Sequence, residues 1–135
     1  MSIGHGGYAR LVQADDSLAL YRYCCYNINL DNWQEMKQKE DGELWIARDA
    51  FVEPEIHRRI KRRPSGRKQL QEKRIIRYVP VMELCDTGRI TIRNASGTWD
   101  QHESGPDKIA IRILHIIFNR YQEIGAIPES VHLYY

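Results

Sequence analysis

Arg58, Lys61, Arg62, Arg63, Arg67, Lys68, Lys73 and Arg74 form a dense run of cations in this sequence of 135 residues. Between Pro54 and Arg77 lie ten of the twenty Lys and Arg residues, against two acids, Glu55 and Glu72. Cations at this density can neutralise phosphates, and the turn Pro64-Ser65-Gly66 beside Arg67 and Lys68 can offer backbone N–H groups to an anion. The same run also fits a solvated face that pairs with the protein's own carboxylates. Ten basic and sixteen acidic residues make up the charge elsewhere, so the charge is asymmetric although the net value is only +2.

Other constellations carry weaker chemistry. Lys108, Arg112, His115, Asn119 and Gln122 recur at helical spacing and make a narrow polar strip. Arg112 and His115 are secondary candidates for holding an anion. Trp99, Asp100, His102 and Glu103 share one short loop, where carboxylates beside a His invite an acid–base or metal reading. Asp49, Glu53 and His57 stand four apart and could serve a nuclease only if all three met. Each of these sets reads equally as ordinary polar surface. Tyr21 and Tyr23 share one strand face, which suggests a stacking platform for bases or simple packing.

No P-loop pattern, Cys-x-x-Cys or zinc-ligand spacing occurs, so no cofactor or metal site is expected. Neither helix-turn-helix spacing nor an RNA-recognition aromatic signature is present. The three cysteines are Cys24, Cys25 and Cys85. An odd number, with two adjacent, reads as free thiols in a reducing cytoplasm. The N-terminal MSIGHGGYAR lacks the apolar core of a secretory signal, and no stretch is apolar enough to span a membrane.

These residues need a scaffold, and the length suits one domain over residues 1–135. Residues 1–7 read as a loose end. Tyr8–Ala14 and Leu18–Ile28 read as a hairpin joined by Asp15-Asp16-Ser17. Asp31 can cap a short helical turn through Gln38. Glu43–Arg48 and Arg89–Arg93 alternate as strands, and Lys73–Val79 also reads as a strand. Pro54 suits the first position of a helix to Arg63, with Ile56 and Ile60 anchoring it to the core and Arg58, Lys61 and Arg62 facing out. Pro80–Cys85 forms a second short helix. From Pro106 to Ile124 a helix is apolar over a wide arc and closed by Gly125 and Pro128, with Ser104 or Asp107 as its cap. Val131–Tyr135 adds an edge strand.

The expected fold is therefore α+β: an antiparallel sheet of four to six strands packed on a long buried C-terminal helix, with one or two shorter helices, the helices lying on one side. The function that follows is a small, non-enzymatic cytoplasmic binding protein. It uses the helix-turn-strand segment 58–77 against an anionic partner, foremost nucleic acid. A protein–protein module, such as an adaptor or an inhibitor of a nucleic-acid enzyme, docking its basic segment onto an acidic protein surface, is the main alternative. A hydrolytic or phosphoryl-transfer enzyme using His57 or His102 is the third. Nothing in the pattern specifies an oligomeric state.

Overall fold

The computed structural model describes residues 4–95 and 107–134. Alternation of apolar and polar residues sets the first layer. Strands β1 (His5–Ala14), β2 (Leu18–Asn27), β3 (Gly42–Ala47), β6 (Ile90–Arg93) and β7 (Ser130–Tyr134) form one antiparallel sheet in the order β6-β3-β2-β1-β7. Asp15 shapes the β1–β2 turn, its carboxylate accepting from the N–H groups of Ser17 and Leu18. Register then places Ala19, Tyr21, Tyr23 and Cys25 of β2 on one face, opposite Ile46, Leu44 and Gly42 of β3 and Leu11, Ala9 and Gly7 of β1.

That face is covered by helix α3 (Lys108–Ile124), which buries Ile109, Ala110, Ile113, Leu114, Ile117 and Phe118 against it. At about 25 cal/mol per Å², burial of these side chains and the strand residues beneath them is the main stabilising term. Gly7 lets the helix come close, because a Cβ there would lie 2.6 Å from Ile109 Cγ2. Asp107 caps α3 by accepting from Ile109 N–H at 3.0 Å, and Gly125 ends it in the left-handed conformation. Asp107 is itself buried, beside the Tyr23 hydroxyl and the Cys25 thiol, at 3.2 and 3.0 Å.

The α+β architecture matches the expectation, with three differences. Residues 5–7 are not a loose end but open β1, pairing with Tyr26, Cys25 and Asn27 on one side and with β7 on the other. The helices are not all on one side: α1 (Trp33–Gln38) lies by Tyr26, which points away from α3. The third difference is the largest. Segment 54–63 is not a helix but strand β4 (Glu55–Arg62), paired antiparallel with β5 (Lys68–Ile75) in a separate two-stranded ribbon. Ile56 and Ile60 are four apart, a spacing that puts them on one face of a helix and equally on one face of a strand. They do not anchor to the core; Ile60 is 68% exposed. The same ribbon replaces the expected strand Lys73–Val79, since β5 begins at Lys68 and stops at Ile75, and helix α2 (Val81–Asp86) follows, close to the expected Pro80–Cys85.

Candidate nucleic-acid interface

The β4–β5 ribbon is built around its loop. Arg63 C=O accepts from Gly66 N–H at 2.9 Å, and Arg63 N–H donates to Arg67 C=O at 2.8 Å. Pro64 supplies the fixed φ a turn needs at its second position, and Gly66 takes φ +83°, which other residues adopt only with strain. The residues that end a helix in the sequence reading are thus a three-residue hairpin loop.

Antiparallel register divides the side chains between two faces. Residues directly opposed across the ribbon share a face, so one face carries Glu55 and Ile75 at its root, then His57 and Lys73, Arg59 and Gln71, and Lys61 and Gln69. The other carries Ile56 and Arg74, Arg58 and Glu72, Ile60 and Leu70, and Arg62 and Lys68. Every residue of both strands is exposed. The first face is basic and polar. The second has an aliphatic centre, with Leu70 63% exposed beside Ile60.

The ribbon's roots are fixed to the last turns of α3. On the β4 side, Phe51 packs on Phe118 and Tyr121 with ring centroids 5.2 and 5.1 Å apart, and the Tyr121 hydroxyl donates to Glu53 at 2.8 Å. On the β5 side, Gln122 is fully buried and holds the backbone of Arg77 at both ends: Arg77 N–H donates to its Oε1 at 2.7 Å, and its Nε2 donates to Arg77 C=O at 2.9 Å. Arg74 donates to the carbonyls of Gln122 and Glu123 at 3.3 and 2.9 Å. A guanidinium suits these terminal carbonyls, where the helix dipole is negative.

The eight cations singled out from sequence therefore have different surroundings. Arg74 is a structural tether. Arg58 pairs with Glu72 at 3.4 Å, and Arg63 donates to Gln69. Lys61 and Lys73 share the basic face, Arg62 and Lys68 lie on the other, and Arg67 sits beside the loop. Among the described residues, Arg59, Lys61, Arg62, Arg67, Lys68 and Lys73 have no carboxylate within ion-pair distance. The described acidic residues outside the ribbon form no ion pair with them. A helix would have grouped Arg58, Lys61 and Arg62; the strand sends Lys61 to the face opposite the other two. Arg59, Gln69 and Gln71 were missed for the same reason, since only period-two reading puts them beside Lys61 and Lys73.

The other candidates separate. Asp49 pairs with Arg89, Glu53 accepts from Tyr121, and His57 lies 2.8 Å from Glu55, so the three acid–base residues do not converge. Among the described residues no cluster of His, Cys, Asp or Glu could hold a metal ion. Trp99, Asp100, His102 and Glu103 lie outside the described residues. Tyr21 and Tyr23 are fully buried beneath α3 and offer no platform to bases. His115 stacks on Tyr78 at 5.9 Å, and burial holds its imidazole below the ordinary value. Gln122 of the polar strip is taken up by the ribbon root, where it holds Arg77. No described helix is long and apolar enough to cross a membrane. No family model, curated protein or solved structure matches this chain.

Proposed function

We propose that this protein binds nucleic acid through the β4–β5 ribbon. The observation that supports the reading is an exposed arm on which Arg59, Lys61, Arg62, Arg67, Lys68 and Lys73 have no ion-paired carboxylate among the described residues, while Arg58 pairs with Glu72. Like charges held together without compensation repel, and a polyanion that sheds counterions on binding relieves this. Lys61 and Lys73 contact phosphates from the basic face, where Arg59 lies between them, with Arg63 and Arg67 at the tip. Arg58, Arg62 and Lys68 line the flank, and Arg74 keeps the arm in place. The three unbridged thiols support a cytoplasmic setting.

Four or five phosphate contacts give a slope of log K against log salt of roughly −4. Titrations of labelled DNA and RNA at about 50 and 200 mM salt should recover it. Replacing Arg59, Lys61 and Lys73 together by Gln should reduce the slope by about two to three units and leave the melting temperature unchanged. No binding at about 50 mM salt rejects the proposal. A second reading, docking of an acidic protein, is favoured by the aliphatic row Ile56, Ile60 and Leu70 on the opposite face. Leu70→Ser should weaken such a partner and spare nucleic acid.

A further inference from the structure

We propose that the basic face of the ribbon enters the major groove of duplex DNA, where Gln71, Gln69 and Arg59 read base edges. The inference rests on the nucleic-acid reading above and goes beyond it in naming the polymer, the groove and the residues that discriminate sequence.

Shape is the first argument. Two paired strands stand about 4.8 Å apart, and eight residues of strand reach roughly 25 Å. Such a ribbon fits a B-form major groove about 12 Å wide and 8.5 Å deep. The major groove of A-form RNA is too narrow to admit it. Both strands are exposed along their whole length, so the core does not obstruct entry.

Chemistry is the second. Cations alone suffice to neutralise phosphate, yet the centre of this face carries two amides. Gln71 lies opposite Arg59, and Gln69 opposite Lys61. An amide adds no charge; it contributes a donor and an acceptor held side by side, the pattern that matches N6 and N7 of adenine. Arg59 presents the fork that matches O6 and N7 of guanine. Gln71 has no side-chain partner among the described residues, and it borders two hollows along the ribbon. One hollow is shared with His57, Arg59 and Lys73, the other with Lys61 and Gln69. Gln69 accepts from Arg63 and so keeps its amide donors for a ligand.

The third argument is what the ribbon omits. Segment 54–77 contains no Tyr, Phe or Trp. Proteins that hold unpaired strands stack the bases on aromatic rings. This face supplies hydrogen-bonding forks in place of rings, and paired bases display their edges to such forks.

The test starts with a randomised duplex DNA library, from which bound molecules are selected and sequenced. A consensus containing purine positions is expected. The selected duplex is then compared with a duplex RNA of the same sequence, its single strands, and a duplex carrying 7-deazapurines, which lack the major-groove N7 acceptor. Duplex DNA should bind about tenfold or more tightly than duplex RNA at equal salt, and the deazapurine duplex should lose about three- to tenfold. Gln71→Ala should lower affinity for the unmodified duplex by a similar factor, abolish the response to the deazapurines at its contact, and keep the salt slope. Lys73→Gln should instead reduce the slope by about one unit. Circular dichroism confirms that each variant is folded. Equal binding to DNA and RNA duplexes, no selected consensus, or indifference to the deazapurines overturns the inference while leaving nucleic-acid binding standing. No binding to any polymer overturns both.

Discussion

The five-stranded sheet and the β4–β5 ribbon use the same backbone pairing for opposite ends. In β2 the alternation is read by a helix: Ala19, Tyr21, Tyr23 and Cys25 are each at most 1% exposed beneath α3. In β4 and β5 every residue is exposed, so alternation sorts side chains by chemistry without burying them. A two-stranded ribbon is marginal on its own in water. This one is held by its loop and by its roots on α3, and its stability is borrowed from the core. The contrast teaches that charge density on an element says little until its period is known. Arg58, Lys61 and Arg62 on a helix would make one surface, whereas on a ribbon they are divided between two.

The comparison breaks most readily at its strongest point. Ile113 is fully buried against the sheet. Ile113→Ala should cost about 2–5 kcal/mol, and Leu70→Ala on the ribbon no more than about 0.5 kcal/mol. Denaturant melts of both variants measure this directly; comparable losses would mean that the ribbon is packed and the two-region picture is wrong. A smaller effect tests the joint. Gln122→Ala leaves the N–H and C=O of Arg77 without their partner, at a cost of about 1–3 kcal/mol. Amide exchange at Arg77 and along β5 should speed up more than exchange in β2. Uniform exchange in all strands would show that the roots do not hold the ribbon.

The smallest effect concerns pH. Burial lowers the His115 pKa in the folded protein. As pH falls, the unfolded chain takes up this proton first, so stability is complete above about pH 6.5 and declines below it. His115→Asn should flatten that part of the profile in melts between about pH 5 and 7.5. Parallel profiles would assign the decline to other groups.

Much of the core was legible because its signals are redundant. Helix α3 shows a wide apolar arc, an Asp cap and a Gly stop, and each points to the same element. Strands β1, β2, β3 and β6 alternate over several residues between turn signals. The ribbon was not legible from Ile56 and Ile60 alone, since a spacing of four satisfies both periods. The one local signal was Pro64-Ser65-Gly66, which is hairpin-loop chemistry; Lys68–Ile75 carries no apolar alternation, so its strand period shows only in the pairing with β4. With that pairing, Arg59 joins Lys61 and Lys73. The tether of Arg74 to α3 had no local signature, because its acceptors, the carbonyls of Gln122 and Glu123, lie far along the chain.

The pairing of β1 between β2 and β7 has a consequence for the order of folding. Gly6 faces Tyr26 on one side and Tyr134 on the other, so the sheet closes only when segments from the two ends of the described chain meet. Contacts of such wide separation form slowly. The ribbon needs only a three-residue loop to join its strands, and hairpins of this kind form in roughly 1–10 μs. The arm can therefore flicker into shape before α3 exists to hold it, and settles only when the last turns of that helix take up Arg74 and Arg77.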